Sequence, residues 1–415
     1  MKHYARTAVL GFATASLLAS VAFAQQRVVK YNADYDPIPL AGMEAIIADF
    51  EAANPDIDIQ LTNFDHEGYK TAIRNFLSAD APDLANWYAG NRMAPFVNAG
   101  QFTDVTDVWD ENGLNEALAS SAPSMTMDGK KWGVPYTYYQ WGIYYNRDAY
   151  KAAGVELPGD DGVTWDQFVE NCKKFSEAGI DCITTGTKAL WPAAGIFDYL
   201  DLRTNGYDFH MELTSGKIPW TDDRVKAVFA EWAKIQPYIT KNHAAIDWQD
   251  AAALMVQGKA AHYIMGNFAV GNFKEGGMTD ENLGFMVFPE ITPGIPRAEE
   301  APTDTIHIPA GAKNVEDAKK FLAFVTSPEA QTKYNAAVNQ LPTNKNAQVG
   351  DDPFLQAGFK MLSTADGGIA QFFDRDAPAE MAKVGMEGFQ QFMVQPDQLD
   401  NILERLEKAR QRIYK

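Results

Sequence analysis

Between residue 27 and residue 88 the apolar side chains change period four times. "RVVKYNAD" reads as a short strand, and Pro37 and Pro39 then break it. Leu40, Met43, Ile47 and Phe50 recur at helical spacing up to Asn54-Pro55. Ile57, Ile59 and Leu61 alternate with Asp58, Gln60 and Thr62, the period of a strand, before Tyr69, Ile73, Phe76 and Leu77 return to helical spacing. "DLANW" closes the run as a third strand. A chain that switches period this way predicts an α/β layer with a mostly parallel sheet.

A second series follows Pro135. Thr164 and Gln167 stand at capping-box spacing ahead of the stripe Trp165, Phe168, Cys172 and Phe175, and Gly179 ends that helix. "IDCITTG" is the next strand. Val225, Val228, Phe229, Trp232 and Ile235 mark a helix, and "WQDAAALMVQGKAAHYIMG" reads as a helix followed by a strand. "PEITPGIPRAEEAPTDT" changes texture to proline and acid, which predicts a surface loop and a crossing between lobes. Helices resume with "VEDAKKFLAFV" and with "SPEAQTKYNAAV", which Ser327 caps; the last helix carries Leu399, Ile402, Leu403, Leu406 and Ile413.

The first residues read as a leader. Lys2 and Arg6 precede an apolar run from Thr7 to Val21, and Ala22-Phe23-Ala24 is a cleavage signal, so residues 1–24 predict export to the periplasm. The remaining chain of about 390 residues exceeds what one core usually supports and predicts two lobes. The formal charge is −19, or −21 without Lys2 and Arg6, which argues against nucleic acid or an anionic membrane surface as partner. Cys172 and Cys182 are the only cysteines; they form a disulfide or remain two buried thiols, and either way they exclude a four-thiolate zinc site.

The sequence has no phosphate-binding glycine loop, zinc-protease helix, nucleophile elbow or calcium loop, and it implies no metal and no cofactor. Asp374 and Asp376 around Arg375 are the one carboxylate pair with a catalytic alternative. "GVPYTYYQWGIYYN" concentrates aromatic rings. In extended form one face carries Thr137, Tyr139, Trp141, Ile143 and Tyr145, suited to a core. The other carries Tyr136, Tyr138, Gln140, Gly142 and Tyr144, suited to a polar ligand. Trp87 and Tyr88, Trp191, and Asn267 with Phe268 lie at the ends of other strands, where α/β sheets bind ligands. Flat rings edged by hydrogen-bonding groups suit a sugar.

"APDLANWYAG", "KKWGVPYTYYQWGIYYNRDAYKAAGV", "MVQGKAAHYIMGNF" and "AKKFLAFVTSPEAQTKY" stand in an order that resembles the extracellular solute-binding proteins of bacterial ABC importers, in the sugar-binding group that includes maltose-binding protein. The resemblance spans the chain after the leader. It implies a two-lobed periplasmic-binding-protein fold, each lobe a mostly parallel sheet flanked by helices, the lobes joined by crossing hinge segments. Residues 25–135 with 304–343 would form the N-terminal lobe, and 136–303 with 344–415 the C-terminal lobe. It implies a monomer that captures a carbohydrate by hinge closure, delivers it to a membrane permease and performs no reaction. Trp87, Tyr138, Trp141, Trp191, Asn267 and Phe268 match its contact positions; Thr303 and Asp304 replace a glycine-rich segment of many members and would reach the ligand with their side chains; Asp36, His66, Asp304 and Arg375 are the candidate hydrogen-bonding partners. Two readings stand beside this one: the same fold holding a polyamine, or ferric iron on Tyr138-Tyr139, and an exported carbohydrate-active enzyme using Asp374 and Asp376.

Overall fold

The computed structural model describes Met1, residues 26–159 and residues 162–414; the leader assigned to residues 1–24 lies outside the described residues. Two separate cores organise the chain. The first gathers Val29, Tyr31, Ile46, Trp109, Ile306 and Phe321 with their neighbours. The second gathers Ile143, Phe168, Phe197, Phe229, Tyr263 and Phe389 with theirs.

Each core lies against one sheet. The first sheet is built from β1 (Arg27–Ala33), β2 (Ile57–Asn63), β3 (Leu84–Tyr88) and β4 (Val134–Tyr138), and the second opens with β5 (Trp141–Asn146) and β6 (Asp181–Thr184). β7 (Ala260–Gly266), β8 (Leu283–Met286), β9 (Ala298–Glu300), β10 (Thr303–His307) and β11 (Gly368–Ala370) complete the strands of three residues or more. The first sheet has the order β2-β1-β3-β10-β4 and the second the order β8-β5-β7-β6; β9 pairs with β11 apart from both.

The sheets are mixed, where mostly parallel ones were expected. β1 runs parallel to β2 and β3, but β10 is antiparallel to both β3 and β4. In the second sheet only β6 and β7 run parallel. The reason is topological: β10 enters the first sheet from the other lobe, and a returning strand arrives against the direction of the β-α-β units it joins.

Three crossings join the lobes. The chain passes from β4 to β5 through Tyr139-Gln140 and returns through Ala301-Pro302 between β9 and β10. It leaves again between helices Pro328–Val338 and Pro353–Ser363, and Phe354 of the latter joins the second core. Tyr138 and Leu341 exchange both backbone hydrogen bonds at 3.0 Å, which ties the first and third crossings together. Residues 136–138, expected in the C-terminal lobe, therefore complete a strand of the first sheet. Asn344 and Lys345 are likewise bonded to Thr326 and Ala117 of the first lobe.

Pro37 and Pro39 open a helix rather than break the chain. Pro37 is the first residue of helix Pro37–Ala53, where its missing N–H costs nothing. The acidic stretch at 298–300 is also unlike the surface loop expected: Glu299 and Glu300 are 0% exposed. Arg203 explains the first, with Nη2 2.8 Å from Glu299 Oε1 and its other nitrogens on the carbonyls of Phe288 and Ala298. A buried carboxylate is tolerable only with such partners.

Cys172 and Cys182 form a disulfide that joins helix Trp165–Glu177 to β6. Both sulfurs sit in the second core, so reductant should reach the bond only after local opening. Closing so short a loop contributes about 3 kcal/mol by restricting the unfolded chain. The Cys172→Ser/Cys182→Ser double variant should melt several degrees lower by calorimetry; an unchanged melting temperature would contradict that contribution.

Candidate functional site

A cleft of about 740 Å³ lies between the lobes. Its first wall is made by the carboxyl ends of three parallel strands. β1 leads into Asp34, Tyr35 and Asp36; β2 leads into Phe64, Asp65 and His66; β3 ends on Asn86, Trp87 and Tyr88. Because parallel strands all end on one edge, their following loops must converge there. Asp304 pairs with Tyr88 across the β10–β3 ladder and arrives at the same edge.

This wall is polar and internally braced. His66 Nδ1 stands 2.9 Å from Asp34 Oδ2. Asn86 Oδ1 accepts from Tyr31 Oη at 2.5 Å and from Tyr35 Oη at 3.3 Å. Trp87 is held by its indole N–H, which donates to the Arg92 carbonyl at 2.9 Å, and by an edge-on contact with Phe96. Asp36 caps helix Pro37–Ala53 through its backbone carbonyl, while its side chain makes no capping bond. Burial raises the Asp36 carboxyl pKa; His66 opposes that rise, and Asp34 and Asp65 add to it.

The second wall is aromatic. Trp191 is the first residue of helix Trp191–Thr204, Trp248 the first of helix Trp248–Val256, and Phe268 follows β7. Trp191 lies 6.1 Å from Trp141, 6.5 Å from Trp248 and 6.1 Å from Phe268, centroid to centroid. Phe372 closes the group 4.9 Å from Trp141. Two local features set these rings. Leu190 holds the left-handed region at φ 69°, rare for a branched side chain, immediately before Trp191. Gly195 leaves room for Trp141, since a Cβ there would lie 2.3 Å from the indole.

Arg375 joins the walls. It belongs to the second lobe, following Phe373 of that core, and reaches the first. Nη2 donates to Asp304 Oδ1 at 2.8 Å and to Tyr139 Oη at 3.0 Å, and Nη1 donates to the Thr303 carbonyl at 2.7 Å. The guanidinium lies 4.5 Å from the centre of the Tyr88 ring, a cation–π distance. Nearby, Asn91 Nδ2 donates to the Asp376 carbonyl at 2.7 Å. On the opposite flank Ile38 of the first lobe seats against Gly271 of the second.

Of the residues singled out in the sequence, Asp36, His66, Trp87, Trp141, Trp191, Phe268, Asp304 and Arg375 line this one cleft. Tyr138, Asn267 and Thr303 do not. Tyr138 packs with Leu341, Leu355 and Met361 behind the crossing, and the Asn267 amide donates to the Asn339 carbonyl. Thr303 is buried; its carbonyl accepts from Arg375 and its hydroxyl donates to the Ala301 carbonyl. The two faces of the aromatic stretch do not divide as expected: Tyr139, placed on the core face, lines the cleft together with Tyr136 and Trp141, while Gln140 turns away to the Phe354 carbonyl. Strand alternation does not survive the crossing, where the chain leaves one sheet for another.

Adjacent Tyr138 and Tyr139 thus point to different environments and cannot grip one ion together. Among the described residues no group of three or more His, Cys, Asp or Glu side chains is placed to hold a metal. Asp374 lines the cleft, but Asp376 does not, and its Oδ2 accepts from the Gln371 amide at 3.0 Å. The two carboxyls therefore do not face the cleft together. Tyr35 and Trp248 are cleft residues that the sequence did not single out; Tyr88, at its strand end, and Asp374, of the carboxylate pair, line the cleft too.

Below the cleft, Asp198, Glu300 and Asp376 are buried together. Asp198 Oδ2 accepts from the Phe373 amide at 2.7 Å, but its Oδ1 and both Glu300 oxygens lack a donor. Burial raises both carboxyl pKa values, that of Asp198 to about 6, and a proton shared between them would satisfy one orphaned oxygen of each. His210 is beside them with Nδ1 3.0 Å from Asp201 Oδ2. Burial would lower the His210 pKa, but Asp201, Asp198 and Asp376 outweigh it and raise the pKa to about 9.

Residues 36–332 match the family of bacterial extracellular solute-binding proteins. An ABC transporter extracellular-binding protein of Pyrococcus horikoshii is 27% identical over 329 residues, 78% of this chain and 73% of that one. A multiple sugar-binding protein of Streptococcus mutans is 26% identical over 308 residues, 71% of this chain and 70% of that one. A solved bacterial solute receptor, described as having an exclusive preference for β-D-galactopyranose, superposes with a TM-score of 0.86 at 27% identity, covering 94% of this chain and 99% of that one. A chitin oligosaccharide binding protein superposes with a TM-score of 0.82 at 20% identity over 94% and 99% of the two chains, a likeness of fold.

The raised His210 pKa fixes the sign of one pH effect. Stability from the His210–Asp201 pair is fully present below pH 6.5 and is lost as pH rises through about 9. The full loss is on the order of 3 kcal/mol. The melting temperature should therefore fall between pH 7 and 9.5, and Asp201→Asn should flatten that slope; a slope unchanged in the variant would refute the assignment.

Proposed function

The chain belongs to the family of bacterial extracellular solute-binding proteins, and on that footing we propose that it captures a carbohydrate between its lobes and delivers it to the permease of an ABC importer. The observation that carries the reading is the asymmetry of the cleft, with Trp141, Trp191, Trp248 and Phe268 facing a wall of carboxylates, amide and phenol groups. A sugar ring has an apolar C–H face and a rim of hydroxyls. Its face stacks on the indoles, and its hydroxyls donate to Asp36 and Asp374 and exchange bonds with Asn86 and Tyr139.

Asp36, His66, Trp87, Trp141, Trp191, Phe268, Asp304 and Arg375 are the contacts of this proposal, to which Tyr88, Trp248 and Asp374 are added. Asp304 and Arg375 act chiefly by holding the walls together. The protein works as a monomer outside the cytoplasm and leaves the ligand chemically unchanged. The names of its relatives, extracellular-binding and sugar-binding proteins, support that role. Closure around the ligand follows from differential affinity, since a sugar that touches both walls stabilises the closed arrangement by what the open one cannot offer.

Burying one aromatic platform contributes about 1.5–3 kcal/mol, or roughly ten- to a hundredfold in affinity. Titration calorimetry with D-galactose, chitin oligosaccharides and raffinose should find at least one binder, whose affinity Trp191→Ala lowers by that factor at an unchanged melting temperature of the free protein. If no neutral sugar binds, or if the variant binds as tightly as the wild type, the proposal is wrong.

A further inference from the structure

We propose that the cleft accepts sugars that are uncharged or carry an ammonium group, and rejects sugars bearing a carboxylate or a phosphate. The inference rests on the reading of the cleft as a sugar site and concerns the ligand's charge. Eight carboxylates line the cleft, against Lys70, Lys188 and Arg375. An anion needs a cation not already neutralised, and each of the three is paired with a carboxylate of the cleft. Lys188 Nζ is 2.8 Å from Asp247 Oδ2. Lys70 Nζ is 3.3 Å from Glu67 Oε1 and 3.9 Å from Asp374 Oδ2.

Arg375 is the buried cation, and its fork already holds Asp304, Tyr139 and the Thr303 carbonyl. His66, the remaining group able to carry positive charge here, is held by Asp34. The acceptor side is the opposite. Asp36 makes no side-chain hydrogen bond among the described residues, although it lines the cleft at the start of helix Pro37–Ala53. That helix end attracts negative charge, and Asp36 already supplies it.

An ionised carboxylate accepts hydrogen bonds and donates none, so Asp36 selects a ligand O–H or N–H. A uronate or sugar phosphate would instead face Asp36 and Glu67 on one wall and Asp247 and Glu275 on the other. In a cleft from which the ligand displaces water, salt screens such repulsion weakly. An ammonium group meets the same carboxylates favourably and the indole faces as a cation–π partner.

Calorimetry at pH 7 and one ionic strength, on matched neutral, 2-amino and uronate forms of the galacto, gluco and manno series, tests the selection. In the series that binds, the amino sugar should match its neutral twin within about tenfold, and the uronate should be at least about 30-fold weaker. Asp36→Asn should narrow the gap between neutral sugar and uronate; Glu275→Gln on the facing lobe is the second variant, should the first prove unstable. A uronate that binds as tightly as its neutral twin overturns the inference while leaving the sugar site intact. If spermidine binds and no sugar of any charge does, the sugar site falls as well, and the inference with it.

Discussion

The guanidinium of Arg375 is the interaction on which the shape of the site depends. It extends from a second-lobe segment anchored by Phe373, ends on Asp304 and the Thr303 carbonyl of the first-lobe sheet, and takes in the Tyr139 hydroxyl at the crossing between them. Its lining of the cleft is thereby subordinate to its bonds with the protein. Removing either partner of a buried, hydrogen-bonded ion pair strands the other charge, at a typical cost of about 3–5 kcal/mol. Here the consequence is local: without Arg375, Tyr88 loses its stacked cation and the buried Asp304 carboxylate faces Asp34 with only His66 to offset it.

From that clamp follows the division of labour between the walls. The first lobe brings the carboxyl ends of β1, β2 and β3 to one edge, and such edges collect polar loop residues. The second lobe brings helix starts and the end of β7 to the facing edge, and there the first residues are Trp191, Trp248 and Phe268. The second wall supplies the indole cluster of Trp141, Trp191 and Trp248, and the first supplies most of the carboxylates. A molecule that satisfies both must bridge the lobes, which couples binding to closure. The buried carboxyls of Asp198, Glu300 and Asp376 lie directly behind this arrangement, so its protonation and the second lobe's stability are linked.

The regular elements were legible because their periodicity is local. Helix Trp165–Glu177 forms with the Thr164–Gln167 capping box intact, and Ser327 caps the helix after it as its sequence suggests. What stayed hidden depended on partners remote in sequence. Glu299 reads as solvent-facing until Arg203, nearly a hundred residues earlier, is brought beside it. Tyr138 and Tyr139 were assigned to the wrong sides because strand alternation was carried through a point where the chain changes sheets. Asn267 and Thr303 were carried over from the resemblance, yet here they secure the crossings. Trp191 was found because it follows a strand; Trp248 opens a helix with no strand directly before it, so the strand-end rule does not reach it. Asp34 and Asn86 had no such signal, since only the convergence of strand ends makes them neighbours.

The account stands most directly on where a sugar sits. A crystal structure of the protein with a bound neutral sugar should show the ring stacked on Trp191 or Trp248, its hydroxyls on Asp36, Asn86 or Asp374, and both lobes touching it. A sugar seated outside the interlobe cleft, or held by one lobe alone with the aromatic wall untouched, would contradict it.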